Sequence, residues 1–318
     1  MVTEIYVDNI IFGSTSQKQV DEFVHLMQEE FEMSMVGELN YFLGFQIKQC
    51  KEGIFISQTK YAQTLVKRFG LEKARHMRTP MSMNQKLTKD EHGKNVDPSL
   101  YRSMIGSLLY LTASRPDISF SVGVCARYQA TPKESHLKAV KRIIRYVHGI
   151  AEYGIWYSKD SNSHLAGYSD ADWAGNIDDR KNTPGGYFYF GNNLVTWYSK
   201  KQSSISLSTA EAEYIAARSC CIQLLWMKQM LEDYGLQQRL LTIFCDNKSA
   251  IDISNNPVQH SRTKHIDLRH HFIRDLVESK TVVIDYVATE KKLADIFTKP
   301  LDTTRFEKLR GEIGLCQL

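Results

Sequence analysis

Apolar and polar residues alternate in short runs at the start of the chain, and the period changes further on. Glu4-Ile-Tyr-Val-Asp-Asn-Ile-Ile-Phe-Gly-Ser14 predicts two strands about a tight turn at Asp8-Asn9, since Asp and Asn accept turn geometry. Over 17–33 the period lengthens: Val20, Phe23, Val24, Met27 and Phe31 recur at helical spacing. Residues 37–48 predict a strand pair and 53–57 another strand, followed by a helix over 58–69 with Tyr61, Leu65 and Phe69 on one face. Pro80, Gly93, Pro98 and many charges mark 72–99 as a long surface loop or linker. Helices are then expected over 101–111, 118–128 and 133–148. The last has a stripe of Leu137, Val140, Ile144 and Val147, with Lys138, Lys141, Arg142 and Arg145 on its other side.

The pattern changes again beyond 163. Leu165, Gly167 and Ser169 alternate with Ala166, Tyr168 and Asp170 as a strand. Thr183-Pro-Gly-Gly186 predicts a tight turn, and 187–190 and 194–198 predict strands joined at Asn192-Asn193. A helix starts near Ser208-Thr209. A short buried strand follows over 241–245, parallel to the first, and 246–251 turn into a helix. Residues 266–277 and 291–298 read as helices and 281–287 as a strand. Strands and helices in this order predict a mixed α/β sandwich. The expected divisions are 1–70, 71–150, 163–300 and a tail over 301–318 that carries no readable chemistry.

Composition adds bounds. A chain of 318 residues with 42% hydrophobic and 24% charged residues is ordinary globular protein of two or three domains. A net charge of +4 permits a polyanionic partner without requiring one. Cys50, Cys125, Cys220, Cys221, Cys245 and Cys316 form no Cys-x-x-Cys pair, so reduced thiols in an intracellular compartment are expected, with cytoplasm and nucleus both open. No apolar run reaches membrane-spanning length, and no signal peptide opens the chain. The sequence begins almost inside a strand, which is expected of a piece of something longer.

Four acids stand beside apolar elements: Asp170 at a strand end, Glu213 on a helix, Asp246 after the 241–245 run and Asp295 in Lys292-Leu-Ala-Asp-Ile-Phe-Thr-Lys299. Converging, they would offer the oxygen ligands that hard divalent cations such as Mg²⁺ require. Each has a blander reading: strand terminator, helix-start acid or N-cap. Glu213 shares a helix face with the small residues Ala216 and Ala217, whereas Glu211 points some 200° away, so Glu213 is the first choice and Glu211 the reserve. Asp172 reads as a turn residue or outer group. His265, His270 and His271 lack zinc spacing and are expected in structural or surface roles, with His265 a weaker candidate for helping a phosphate or proton. The aromatic-rich set Trp173, Tyr187, Phe188, Tyr189 and Trp197 reads mostly as packing.

Several motifs resemble copia-type retrotransposon Pol polyproteins. Tyr6-Val-Asp-Asn9 resembles the family's Tyr-Val-Asp-Asp reverse transcriptase box. Ile-Ile-Phe-Gly-Ser, Leu-Asn-Tyr-Phe-Leu-Gly and Ser-Gln-Thr-Lys-Tyr follow in family order. Further on, Tyr-Arg-Ser-Met-Ile-Gly-Ser-Leu-Leu-Tyr-Leu and Ser-Arg-Pro-Asp-Ile are family-like. Tyr-Ser-Asp-Ala-Asp-Trp-Ala-Gly, Ser-Thr-Ala-Glu-Ala-Glu-Tyr, Cys-Asp-Asn-Lys-Ser-Ala and Leu-Ala-Asp-Ile-Phe-Thr-Lys are similar to its nuclease domain. The resemblance runs from Tyr6 to about Pro300.

The resemblance implies an α/β (α+β) fold: a ribonuclease H-like mixed sheet with flanking helices, preceded by a truncated reverse transcriptase palm/thumb and a helical connection. Phe42-Leu-Gly-Phe45 would be the primer-gripping hairpin. Asp170, Glu213, Asp246 and Asp295 would hold two Mg²⁺ ions, with Mn²⁺ as an admissible substitute, and cut RNA in an RNA–DNA hybrid. In the polymerase box, Asp8 keeps its carboxylate but Asn9 replaces the second Asp, and an amide is a poorer Mg²⁺ ligand. A further aspartate would have to come from an upstream polymerase segment of the same polyprotein, so polymerase activity is expected to be lost. The basic side of 133–148 (Lys138, Lys141, Arg142, Arg145) is either a solvated face or a track for nucleic-acid phosphates, and the resemblance favours the track. A hybrid-binding remnant without catalysis is the alternative to a nuclease.

Overall fold

The computed structural model describes residues 1–84, 86–173, 175–256 and 272–318. His265, His270 and His271, and the first part of the helix expected over 266–277, lie outside the described residues.

Strands β1 (Val2–Tyr6) and β2 (Asn9–Gly13) form the first hairpin. Tyr6 pairs with Asn9, so the turn is Val7-Asp8, one residue earlier than expected, and Asn9 opens β2. Val7 takes φ 52°, a strained value for a β-branched residue. Helix α1 (Gln17–Glu30) stops before 33 because Phe31 turns extended. Strands β3 (Tyr41–Phe42) and β4 (Phe45–Cys50) meet at Leu43-Gly44, both at positive φ, as a two-residue hairpin turn demands.

Next come β5 (Gly53–Ser57) and α2 (Thr59–Arg68), which buries Ala62, Leu65 and Val66. Asp97 caps α3 (Pro98–Leu111): its carboxylate accepts from the backbone of Ser99 and Leu100, and Pro98 sits where no N–H is needed. A 3₁₀ turn at Pro116–Ile118 leads into α4 (Ser119–Ala126). Helix α5 (Glu134–Gly149) buries the expected Val140, Ile144 and Val147. Strand β6 (Gly154–Ser158), unforeseen in the sequence, pairs with β5.

The second half comprises β7 (Leu165–Asp172), β8 (Thr183–Phe190), β9 (Asn193–Ser199), α6 (Thr209–Asp233), β10 (Leu241–Cys245), α7 (Lys248–Asn255), α8 (Phe272–Glu278) and β11 (Val282–Tyr286). Its sheet runs β11-β10-β7-β8-β9. Strands β7, β8 and β9 are antiparallel, whereas β10 is parallel to both β7 and β11. This is the ribonuclease H-like mixed sheet that the sequence resemblance implied.

Two expectations here need correcting. Thr183-Pro-Gly-Gly186 is the start of β8 rather than a turn. Its glycines serve close approach instead: a Cβ on Gly185 would lie 2.6 Å from the Cβ of Phe297, so only glycine lets the 293–298 segment cross the strand. That segment is not an α-helix over 291–298 but two 3₁₀ turns, Thr289–Lys291 and Leu293–Phe297. Pro300 bars the helical region to Lys299 and stops propagation.

The tail is structured. Helix α9 (Thr303–Glu312), capped by Asp302, leads to β12 (Leu315–Cys316), which pairs with β6. The sheet of the first half is therefore β12-β6-β5-β4-β3, edged by β3 on one side and by the last strand of the chain on the other. Phe306, Leu309, Ile313 and Leu315 join a core with α2–α5, with Tyr187 and Leu194 from the ribonuclease H-like sheet and with Phe297 from the 3₁₀ turn that crosses it. The other core lies between that sheet and α6, around Phe188, Tyr214, Cys220 and Leu224. Tyr187 and Phe188 thus serve packing, as expected, on opposite faces of β8.

Candidate metal centre

The parallel pairing of β7 with β10 sets the site. Tyr168 is opposite Phe244, so two residues further Asp170 and Asp246 leave the same sheet edge side by side. Asp170 is still inside β7, paired with Gly185, and buried. Glu213 enters from the first turns of α6, which packs across β7.

The three carboxylates converge on one cation, the ammonium of Lys292, which the sequence had not marked as a site residue. Its Nζ lies 2.5 Å from Asp170 Oδ1 and 3.0 Å from Glu213 Oε1, and it also pairs with Asp246 Oδ1. The side chain is fully buried. Each carboxylate has a further partner. Thr298 Oγ1 donates to Asp170 Oδ2, Thr289 Oγ1 donates to Asp246 Oδ2 across 3.0 Å, and the Cys245 thiol approaches Glu213 Oε2 at 4.0 Å.

Asp295 stands beside this group rather than in it. Lys299 Nζ is 2.9 Å from its Oδ1 and 3.8 Å from Asp170 Oδ2, and Arg305 Nη2 is 3.5 Å from its Oδ2. Lys292, Lys299 and Arg305 therefore offset the charge of four clustered carboxylates. The readable signal was the Lys at each end of Lys292-Leu-Ala-Asp-Ile-Phe-Thr-Lys299, but only the fold turns those ammonium groups inward.

Ionisation follows from burial and these neighbours. Burial alone would raise the Asp170 pKa. The ammonium of Lys292, with Lys299 and the hydrogen bonds from Lys292 and Thr298, outweighs it and holds the carboxyl well below the usual range. Burial pushes Glu213 well up, and the negative charges of Asp170 and Asp246 push the same way. Asp295 is raised by burial and by Asp170. Burial disfavours the Lys292 ammonium, yet Asp170, Glu213 and Asp246 more than reverse this and keep it protonated. Burial and then Asp170 lift Asp172 to about 6.

Glu211 is placed otherwise. Its carboxylate accepts from the Leu207 backbone at 2.6 Å, and its own N–H donates to Ser208 Oγ at 3.1 Å, so it caps α6. On α5, Lys138 is exposed, but Arg142 donates to the carbonyl and hydroxyl of Thr79 and so pins the 79–81 loop. Lys141 and Arg145 are half-buried. Asp8 and Asn9 are exposed on the first hairpin.

The donor set fits a hard divalent cation: oxygens of Asp170, Glu213 and Asp246 already surround one positive charge. Among the described residues, ligand atoms of Glu213, Asp246 and Cys245 all lie within 4.8 Å of one another. On the solvent side the carboxylates line a groove of about 500 Å³ shared with Asp172, Trp173 and Lys299. No described helix is long and apolar enough to cross a membrane.

Comparison with known proteins gives the lineage. Residues 1–83 match the reverse transcriptase (RNA-dependent DNA polymerase) family. The chain is 36% identical over 315 residues to the retrovirus-related Pol polyprotein from transposon RE2 of Arabidopsis thaliana, a match covering 99% of this chain and 22% of that polyprotein. It thus spans about a fifth of that relative's length. An uncharacterized mitochondrial protein of Arabidopsis thaliana is 34% identical over 222 residues, which are 70% of this chain and 92% of that protein. A solved structure of the foamy viral protease-reverse transcriptase in complex with dsDNA is 12% identical, with a TM-score of 0.47 over 90% of this chain and 55% of that one. With that identity over nearly all of its length and nearly all of a shorter relative, the chain belongs to the family of copia-type retrotransposon Pol polyproteins.

Proposed function

We propose that this chain is a metal-dependent nuclease that hydrolyses RNA in RNA–DNA hybrids, using Asp170, Glu213, Asp246 and Asp295. In this reading 163–300 is the nuclease unit, 71–150 a connection and 1–70 a polymerase remnant. The observation that carries it is the convergence of Asp170, Glu213 and Asp246 on a single positive charge at the floor of an open groove. Divalent Mg²⁺, or Mn²⁺ in its place, would supply Lewis acidity at the scissile phosphate. The chain's own residues hold the charge in place: Thr298 fixes Asp170, Thr289 fixes Asp246, and Lys299 and Arg305 fix Asp295. Lys299 and Lys248, both lining the groove, meet the phosphate backbone, and exposed Lys138 extends the contact along α5.

Polymerisation is not part of this proposal. At its turn the first hairpin presents the carboxylate of Asp8 beside the amide of Asn9, which is a weak basis for a two-metal site.

The test is cleavage of a labelled RNA–DNA hybrid with Mg²⁺ by the chain and by its Asp170→Asn variant, with a loss of about a hundredfold or more expected in the variant. Equal cleavage by both would reject the site. A second reading, a hybrid-binding remnant, is favoured by one observation: a lysine already sits where the carboxylates meet. Salt-sensitive binding of the hybrid by a folded chain that never cuts it would select that reading.

A further inference from the structure

Lys292 is placed as an ion would be. Three carboxylates from three separate elements, β7, α6 and the end of β10, direct oxygens at one ammonium. A fully buried lysine carries a heavy desolvation cost unless it is paired and hydrogen-bonded. Here the three anions offset that cost.

Its position is held from behind. The Lys292 backbone N–H donates to Thr289 O, and its carbonyl accepts from Asp295 N and Arg305 Nη2. Arg305 also donates to the carbonyls of Thr289 and Glu290. The turn bearing Lys292 is thus bolted to α9, and the side chain passes beneath the carboxylates. The groove is lined by Asp170, Glu213 and Asp246 but not by Lys292. One face of the carboxylate group meets the lysine and the other faces solvent.

We propose that Lys292 is a resident cation of this centre, standing in one of the two positive positions, so that the groove side takes a single divalent ion. This rests on the carboxylates being metal ligands, as in the function proposed above. The lysine bridges Asp170, Glu213 and Asp246 and screens their mutual repulsion without metal. The opposite face keeps oxygens of the same groups for one Mg²⁺ or Mn²⁺. A centre of this kind is organised before metal arrives, and its ion count is set by the protein.

The experiment is Mn²⁺ titration of the whole chain by calorimetry. It is paired with mass-spectrometric mapping of lysines modified by an acylating reagent, with and without Mn²⁺. One Mn²⁺ per chain is expected, with Lys292 protected in both conditions while exposed Lys138 is modified. The Lys292→Met variant is expected to bind a second Mn²⁺ and to lose stability without metal. Two ions in the unaltered chain, or Lys292 becoming modified when Mn²⁺ is added, would overturn the proposal while leaving the metal site intact. No Mn²⁺ bound by the folded chain would overturn the metal site itself, and the proposal with it. The measurements on the unaltered chain decide the matter even if the variant does not fold.

Discussion

Arg305 on α9 lies 3.5 Å from Asp295, so the C-terminal helix reaches directly into the carboxylate group. The same guanidinium donates to the carbonyls of Thr289, Glu290 and Lys292. It therefore shapes the turn that carries Lys292 as well as the acid beside it. Replacing Arg305 with Ala leaves these carbonyls without that donor and Asp295 with one cation fewer. A loss of about 0.5–1.5 kcal/mol is expected, the usual net value of a hydrogen bond, since Thr289 and Glu290 are exposed and water can replace the lost donor. The urea midpoint measures it. An unchanged midpoint would mean that the other contacts of α9 hold it without Arg305.

The two glutamates of α6 differ by role and should differ by readout. Glu213→Gln removes a carboxylate that faces Lys292, so cleavage is expected to fall about a hundredfold or more and Mn²⁺ binding to weaken. Glu211→Gln keeps cleavage and Mn²⁺ affinity. Glu211→Ala costs about 1 kcal/mol of stability, the usual value of a lost cap. Hybrid cleavage and thermal unfolding on the same preparations separate the two. Equal loss of activity in both glutamine variants would reject the assignment of Glu211 to the cap.

What the sequence made legible follows from range. Period-2 and period-3.6 patterns are local, so β5 over 53–57 and β10 over 241–245 were readable to the residue. Asp170 on β7 and Asp246 after β10 could be paired because parallel strands carry corresponding positions to one edge. Contacts between distant segments were not readable. Gly185-Gly186 looks like a turn until Phe297 is known to lie against it. Strand β6 has too little alternation to announce itself and exists by pairing with β5 on one side and β12 on the other. Lys292 looks like a surface lysine because its three partners lie 46, 79 and 122 residues away.

A second buried charge pair holds the helical half together. Arg115 donates from Nε and Nη2 to the two carboxylate oxygens of Asp117 at 3.0 and 2.7 Å, and from Nη1 to Ile150 O. Tyr146 adds a hydroxyl donor to Asp117 at 2.5 Å, and Arg310 of α9 approaches that hydroxyl at 3.4 Å. Asp117→Ala leaves the Arg115 guanidinium buried without its anion, and a loss of about 3–5 kcal/mol is expected. Tyr146→Phe removes one hydrogen bond to a charged group and is expected to cost about 1.5–3 kcal/mol. Chemical denaturation of both variants checks the order. A larger loss for Tyr146→Phe than for Asp117→Ala would contradict it.

Asp172 gives the chain a pH dependence of definite sign. Burial, and then the negative charge of Asp170, raise its pKa to about 6, against the attraction of Lys299, Lys86 and Arg127. In the unfolded chain an aspartate titrates near about 3.9. A raised folded value means that the folded state binds the proton more tightly. The contribution to stability is full below the unfolded value and is lost as pH rises through the folded one. Asp172→Asn keeps a neutral side chain of the same shape at every pH. The variant should therefore match the unaltered chain near pH ~4 and gain on it progressively up to pH ~6, with a constant advantage above. Urea midpoints of both proteins across that interval read the difference directly, since every other titrating group is common to the two. A difference that did not change between these limits would mean that the Asp172 carboxyl titrates alike folded and unfolded, its neighbouring cations balancing burial and Asp170.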